Sequence, residues 1–203
     1  MDASDVAAVL ARAQQGDGEA FRVLVERHSR RAFQLAFRMT RNEQDAEDVV
    51  QESFLRAYRQ LGRFEARANF ATWLHRIVAN CAVDVMRTRH AKQRKVSDPL
   101  DEATPIQAGT PDPQRLAESG EVRARVDEAL AALSPLERAA FALRHHEGRS
   151  IEEIGRTLGL GTSASKHAVF RAVKKLRVAL DPYVGRTSVG RTSHLRQGYG
   201  GPP

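Results

Sequence analysis

The sequence predicts an all-α protein made of two small helical domains joined by a proline-rich, acidic linker. Apolar residues recur at helical spacing along most of the 203 residues, and this pattern indicates amphipathic helices. Capping signals stand where several of the predicted helices begin. Residues 96–120 contain half of the eight prolines and more acidic than basic side chains. That composition is typical of a stiffened linker between two folded units.

Residues 1–95 predict a short first helix followed by three longer ones. The first long helix has apolar side chains at helical spacing over residues 21–39. Asn42 is a suitable N-cap for the next helix, because its side chain can accept a hydrogen bond from a free backbone N–H of the first turn. The third long helix spans about residues 70–95. Cys81 lies at one of its inward positions, so we expect a buried, unreactive thiol.

Residues 121–182 predict a second group of helices. The quartets SPLE, starting at Ser134, and SIEE, starting at Ser150, are capping boxes, in which the serine and the glutamate three residues later satisfy each other's backbone N–H groups. Gly159 is expected to end the helix that the second box starts. Residues 183–203 have no apolar period and repeat the word VGRTS, which predicts a disordered tail.

Composition and charge limit the classes of function. The formal net charge of +7 favours a polyanionic partner, either nucleic acid or an anionic membrane surface. No apolar run approaches the roughly 18 residues that a membrane span needs, and the N-terminus lacks the regions of a signal peptide. A single cysteine cannot form an internal disulfide and fits a reducing, cytoplasmic compartment.

The last two predicted helices have the spacing of a helix-turn-helix, in which the second helix enters the major groove of DNA. Thr162 and Ser163 are candidate caps for this second helix, and Lys166 would then stand in its first turn. A plain helical hairpin with a solvated basic face is the alternative. The outward positions of the second helix are Lys166, His167, Phe170, Arg171 and Lys174.

The segment DAEDVVQESFLRAY places Asp45, Asp48 and Glu52 on one helix face, flanked by Gln51 and Leu55. Paired carboxylates can support acid–base or metal chemistry. However, no histidine shares this face, and carboxylates on a continuous helix face usually contact only solvent. Spacing alone therefore favours a solvated surface.

The segment RFEARANFATWLHRIVAN, residues 63–80, gathers aromatic and basic side chains and is followed by further arginines and lysines up to residue 95. Such a mixture indicates single-stranded nucleic acid, because bases stack on rings while cations hold phosphates. Asn69 can both donate to and accept from a base edge. The alternative for Trp73 is an ordinary core tryptophan at helical spacing.

Taken together, these motifs resemble the bacterial sigma factors of the extracytoplasmic-function type. DAEDVVQESFLRAY is similar to the family's polymerase-binding helix, and FATWLHRIVANCAVDVMR to its segment that melts and reads the minus-ten element. LSPLERAAFALRHHEGRSIEEIGRTLGL with KHAVFRAVKKLR is similar to its minus-thirty-five module. The resemblance implies a transcription initiation factor that performs no chemistry and needs no cofactor or metal. Its implied partners are RNA polymerase core, promoter DNA and an anti-sigma protein.

The resemblance also assigns a role to each part of the chain. Residues 1–95 become a σ2-like domain and residues 121–182 a σ4-like domain. The implied polymerase contacts are Asp45, Asp48, Gln51, Glu52 and Leu55. The implied minus-ten contacts are Phe64, Arg67, Asn69, Phe70, Trp73, Arg76, Arg87 and Arg89. The implied minus-thirty-five contacts are Thr162, Ser163, Lys166, His167, Phe170, Arg171 and Lys174.

Within the minus-ten set, the resemblance implies that Asn69 contacts a flipped base. Phe64 or Phe70 would wall the base pocket, and Trp73 would support it from the core side.

Two other functions compete with that of a sigma factor. One is a stand-alone regulator that uses only the helix-turn-helix, and the other is an enzyme that uses the carboxylates near Asp45.

Overall fold

The structure is a computed structural model that describes residues 3–65, 69–95 and 113–188. The described residues form helices without any strand, which confirms the predicted all-α fold. A 3-10 turn, Leu61–Arg63, follows the third helix, and a π-helical turn, Ala142–His146, follows the sixth. The helices are α1 (Ala3–Gln14), α2 (Gly18–Thr40), α3 (Glu43–Gln60), α4 (Phe70–Lys95), α5 (Pro113–Ala131), α6 (Pro135–Phe141), α7 (Ile151–Leu158) and α8 (Thr162–Ser188).

The predicted capping signals start and stop these helices as expected. The Asn42 side chain accepts a hydrogen bond of 2.8 Å from the backbone N–H of Asp45 at the start of α3. Ser134 and Ser150 form reciprocal capping boxes at the starts of α6 and α7. Gly159 ends α7 with a φ of 67°, a left-handed conformation that glycine adopts without steric cost.

Two helices extend beyond their predicted limits. Helix α5 begins at Pro113, inside the predicted linker of residues 96–120, because a proline at the first helical position loses no hydrogen bond. Helix α8 continues to Ser188, inside the predicted tail of residues 183–203. Extending a formed helix fixes one residue for each new hydrogen bond, so it proceeds without a new nucleation cost. Residues 96–112 and 189–203 lie outside the described part.

The N-terminal core lies between α1, α2, α3 and α4. The thiol of Cys81 is buried there as predicted, and burial raises its pKa. This core continues across the chain into α6, α7 and α8, where it includes Ala140, Ile154 and Ala168. A smaller cluster joins α5 to α8 within the C-terminal half and consists of Ala129, Leu130, Leu133, Ala172 and Leu176.

Polar contacts surround the apolar contact between the two halves, and we call this boundary the seam. Glu147, which follows the π-helical turn, accepts a hydrogen bond from Arg38 of α2 and lies 3.3 Å from Nε2 of His75 on α4. Arg41 at the end of α2 pairs with Asp127 of α5. The seam therefore combines a continuous core with ion pairs from α2 and a hydrogen bond from α4 to the C-terminal half.

His28 of α2 is buried in the N-terminal core. Its ring centroid lies 5.3 Å from that of Phe70, and its Nε2 has no hydrogen-bond partner within the described residues. Burial lowers its pKa, and the nearby charges of Arg27 and Arg31 lower the pKa further. The folded protein therefore holds His28 in its neutral form.

Acidification should destabilise the protein in part through His28. In the unfolded chain an ordinary histidine gains a proton as the pH falls through about 6.5, whereas the folded state resists protonation of His28. The free energy of unfolding should therefore fall as the pH drops from 7.5 to 5.5. His28→Leu should make this fall smaller but not remove it, because burial also lowers the pKa of His75.

Urea unfolding at the two pH values measures this difference. His90→Leu is the matched control, because His90 is exposed on α4, and it should keep the wild-type pH dependence. An unchanged pH dependence in His28→Leu would show that His28 does not take up a proton on unfolding.

Candidate protein-docking and nucleic-acid interfaces

The acidic face of α3 is only partly exposed, and its carboxylates differ in their partners. Asp45 pairs with Arg89 of α4 at 2.5 Å. Glu52 pairs with Arg56, which also bonds Asp84 of α4, and these two carboxylates raise the pKa of Arg56. Asp45 and Arg56 therefore link α3 to α4, and Glu52 holds Arg56 within α3.

The rest of the predicted polymerase set stays open to a partner. Asp48 and Gln51 are exposed, and Asp48 makes no ion pair within the described part of the chain. Leu55, one turn further along, is 46% exposed. These three side chains form an edge with an unpaired carboxylate, an amide and an aliphatic group.

An apolar groove beside this edge was not predicted from the sequence. It lies between α2 and α3 and has a volume of about 810 Å³. Tyr58 at its margin is 48% exposed and contacts Phe21 with a centroid distance of 4.9 Å. Phe21 and Val25 share the helical period of α2 with its buried residues, so their spacing gave no sign of a groove. The apolar lining residues are Phe21, Val25, Phe33, Val50, Phe54, Leu55 and Tyr58.

The three rings of the predicted minus-ten set form one cluster. The centroids of Phe64 and Phe70 are 5.9 Å apart, and Trp73 lies within 5.6 Å of both. Phe64 and Phe70 are buried, whereas Trp73 is only half-buried. The expected arrangement is reversed, because the phenylalanines support the cluster from the core and the tryptophan has the accessible ring.

Asn69 serves as the N-cap of α4. Its Oδ1 accepts hydrogen bonds from the backbone N–H groups of Ala71 at 2.9 Å and Thr72 at 3.4 Å. The side-chain amide nitrogen makes no hydrogen bond within the described residues. Asn69 is exposed, so its N–H₂ group can bind an external acceptor while its oxygen holds the helix.

The basic residues of the minus-ten set are distributed along α4. Arg76 and Arg87 are exposed, whereas Arg89 is engaged by Asp45. Arg67 lies outside the described residues. The structure therefore places Asn69, Trp73 and Arg76 within the first two turns of α4, with Arg87 further along the same helix.

The helix-turn-helix is closely packed at its turn. A Cβ atom added at Gly155 of α7 would lie 2.8 Å from the backbone oxygen of Leu160 and 3.2 Å from Oγ of Ser165. Ser165 is buried, and its hydroxyl donates to the carbonyl oxygen of Gly161. Small residues at 155 and 165 thus let α7 and the start of α8 approach each other.

The predicted major-groove residues all lie on the exposed side of α8. Thr162 and Ser163 are exposed but belong to the first turn of the helix, so the prediction that they cap it is wrong. The first turn also ends before Lys166, because the carbonyl oxygen of Gly161 already accepts a hydrogen bond from the backbone N–H of Ser165. Lys166, His167, Phe170 and Lys174 follow on the same side.

Arg171 has a structural partner as well as exposed surface. Its Nε lies 3.2 Å from Oε1 of the buried Glu137, and Nζ of Lys175 lies 2.7 Å from Oε2 of the same carboxylate. Burial alone would raise the pKa of Glu137, but hydrogen bonds from Lys175 and Ser134 outweigh it and lower the pKa. Glu137 thus ties α8 to α6 and supports the exposed basic face.

The two predicted DNA-contacting regions face each other across a cleft at the seam. Arg76 of α4 lines one side of this space, whose volume is about 570 Å³, and Gly161 and Thr162 at the start of α8 line the other. In this arrangement the start of α4 and the start of α8 are neighbours.

The described ranges, 3–65, 69–95 and 113–188, show neither a membrane-spanning helix nor a metal-binding cluster. No helix in these ranges is long and apolar enough to cross a bilayer. No group of three or more histidine, cysteine, aspartate or glutamate side chains is placed there to hold a metal ion.

Comparisons with known proteins identify both halves of the chain. Residues 24–92 match Sigma-70 region 2, and residues 123–176 match Sigma-70, region 4. The ECF RNA polymerase sigma factor SigE of Mycolicibacterium smegmatis is 34% identical over 81% of this chain, which spans 63% of that relative's length. The ECF RNA polymerase sigma-E factor of Salmonella typhimurium is 31% identical over 86% of this chain and 94% of its own.

A solved structure has a similar fold. It is a complex of the sigma factor RpoE with the anti-sigma factor NepR from Bartonella quintana. The TM-score is 0.57 at 25% identity, and the match covers 79% of this chain and 96% of the other.

Proposed function

The chain belongs to the extracytoplasmic-function family of bacterial RNA polymerase sigma factors, and on that premise we propose that it directs polymerase core to promoters and opens the minus-ten element. One observation carries the proposal: a region 2 match and a region 4 match follow each other in one chain. A stand-alone regulator would need only the second. We further propose that the protein acts in the cytoplasm, binds an anti-sigma protein and catalyses no reaction.

Polymerase core would dock on the exposed edge of α3 and in the adjacent apolar groove. Asp48 is an exposed carboxylate without an ion pair in the described residues, so it can meet a basic partner without first breaking a contact. The groove beside it offers apolar area, with Leu55 and Tyr58 about half exposed. An interface of this kind gains affinity from apolar burial and specificity from the charge.

The start of α4 would hold the opened strand. Taking a base out of the stack costs a few kcal/mol, and stacking on an aromatic ring returns roughly 1–3 kcal/mol per base. Trp73 supplies the accessible ring, and the amide nitrogen of Asn69 supplies a donor for a base edge. Arg76 and Arg87 are exposed and can contact phosphates. Phe64 and Phe70 would support Trp73 from its buried side and so fix its position.

The exposed face of α8 would read the minus-thirty-five element. Gly155 and Ser165 set the angle between α7 and α8, and Glu137 holds α8 against α6. The side chains on the opposite side of α8 then project from a fixed support, as base reading requires. Arg171 has a double role, because it contacts Glu137 through Nε and keeps other N–H groups for DNA.

Reading both elements requires the two halves to separate at the seam. Elements centred near −10 and −35 are about 25 base pairs apart, or about 85 Å along B-DNA. Arg76 and Thr162 line one cleft, so they cannot contact such distant sites at once. The 17 residues between α4 and α5 reach at most about 60 Å when extended, which together with the size of the halves allows the required span.

Reversing the charge of Asp48 should weaken polymerase binding without unfolding the protein. Asp48→Arg places a cation where a basic partner surface is expected, and we expect the affinity for core to fall at least about tenfold. The free energy of unfolding should change by at most about 0.5 kcal/mol, because Asp48 is exposed. Titration of labelled protein with purified core measures the first quantity, and urea unfolding the second.

Asp181→Arg is the control for net charge. Asp181 is an exposed carboxylate in α8, and its reversal should leave core binding unchanged. If Asp48→Arg and the wild type bind polymerase core with equal affinity, α3 is not part of the docking surface.

Asn69 should be needed for promoter opening beyond its role as a helix cap. Asn69→Ser keeps a side-chain oxygen for the cap, so stability should change by only a few tenths of a kcal/mol, but it loses the amide nitrogen. Polymerase carrying this variant should form the closed complex and open the duplex more slowly. Permanganate reactivity of minus-ten thymines over time measures opening.

A heteroduplex promoter with a pre-melted minus-ten region should restore initiation by Asn69→Ser, because the cost of unpairing is already met. Asn69→Ala, which also loses the cap, should lose an additional 1 kcal/mol or so of stability. Wild-type opening rates in Asn69→Ser, or an equal defect on the pre-melted template, would contradict a role in base capture.

A further inference from the structure

Phe170 is an aromatic side chain in the middle of the exposed basic face of α8. It is 65% exposed, although its neighbours Ala168 and Ala172 are completely buried. Those two alanines fix the rotation of α8 against the rest of the C-terminal half, so the exposure of Phe170 follows from the packing of the helix. The ring makes no contact with another aromatic ring within the described residues.

Two lysines flank Phe170. Lys166 lies about one turn before it, next to His167, and Lys174 lies one turn after it, and all three side chains are exposed. Lysines at such positions can contact phosphates on either side of a groove. The helix therefore presents one large apolar group between cations, at the part of α8 that the proposed function places in the major groove.

The floor of the major groove has only one prominent apolar group, the C5-methyl group of thymine. The other base edges present hydrogen-bond donors and acceptors. A phenyl ring cannot pair with those polar groups, and burying it against them would leave them unsatisfied. A thymine methyl instead allows apolar contact, which is why apolar side chains select thymine in the major groove.

We propose that Phe170 is a specificity-determining residue that selects thymine at one position of the upstream promoter element by contacting its C5-methyl group. This inference rests on the proposed function, because it requires α8 to lie in the major groove. The ring would recognise the methyl group itself and not the rest of the base. 5-Methylcytosine carries a methyl group at the same place and should be accepted in part, whereas uracil lacks it.

The experiment uses the complex of the full chain with polymerase core. Binding sequences are first selected from a DNA pool with randomised upstream and downstream elements. Each upstream thymine in a selected duplex is then replaced, one at a time, by deoxyuridine, which removes only the methyl group. Wild-type affinity should fall about fourfold at one position, the value expected for one methyl group, and should stay unchanged at the others.

Phe170→Ala should bind the thymine and deoxyuridine duplexes equally at that position. Val178→Ala is the matched control, because Val178 is also an exposed apolar residue of α8, at 69% exposure, but lies two turns beyond Phe170. It should keep the wild-type response to deoxyuridine. At the same position the wild type should bind the thymine duplex most tightly, the 5-methylcytosine duplex less tightly and the cytosine duplex least tightly. Phe170→Ala should not distinguish 5-methylcytosine from cytosine.

The outcomes separate the inference from the proposed function. If the complex selects promoters but no upstream position responds to deoxyuridine, or Phe170→Ala keeps the response, the methyl contact is refuted while the sigma-factor function stands. If Phe170→Ala loses binding to a protein partner but not to DNA, the ring belongs to a protein interface and the inference is also refuted. If no DNA sequence is selected, the proposed function and the inference fail together.

Discussion

Helix α4 is the element on which the rest of the structure depends. It contacts α2 and α3 on the N-terminal side and α6 and α7 on the C-terminal side, and it carries the side chains proposed to hold the opened strand. A helix with this many packing partners leaves only a narrow exposed strip. This strip includes Trp73, Arg76 and Arg87, which are therefore accessible. The burial of Phe64 and Phe70 follows from the same packing.

The seam has the composition of a contact that can open. Glu147, Arg38 and His75 form its polar part, and water can take over their hydrogen bonds when the halves separate, so that no charge is left buried and unpaired. Its apolar part uses small side chains such as Ala139 and Ala140 together with Ile154. Contacts between domains of one chain are commonly more polar than permanent interfaces, and relative motion is the default expectation for them.

Local signals in the sequence were sufficient for the helices but not for their assembly. The caps at Asn42, Ser134 and Ser150 and the stop at Gly159 depend on neighbouring residues only, so their prediction is confirmed. The burial of Phe64 and the exposure of Trp73 depend on which helices lie nearby, which periodicity does not encode. Asn69 looked like a base reader because of its chemistry, and only the structure shows that its oxygen is engaged as a cap. The contacts of Glu147 with Arg38 and His75 connect residues far apart in the chain and leave no local signal.

The distance between the two halves tests the central claim most directly. Spin labels on cysteines introduced at the exposed positions Gln15 and Val178, with Cys81 replaced by alanine, would report this distance by pulsed electron paramagnetic resonance. The account predicts one narrow distance distribution in the free chain, a broader distribution in Glu147→Ala, and an increase of several tens of ångströms when polymerase core and promoter DNA bind, since the two elements are about 85 Å apart. An unchanged distance in the promoter complex would contradict it.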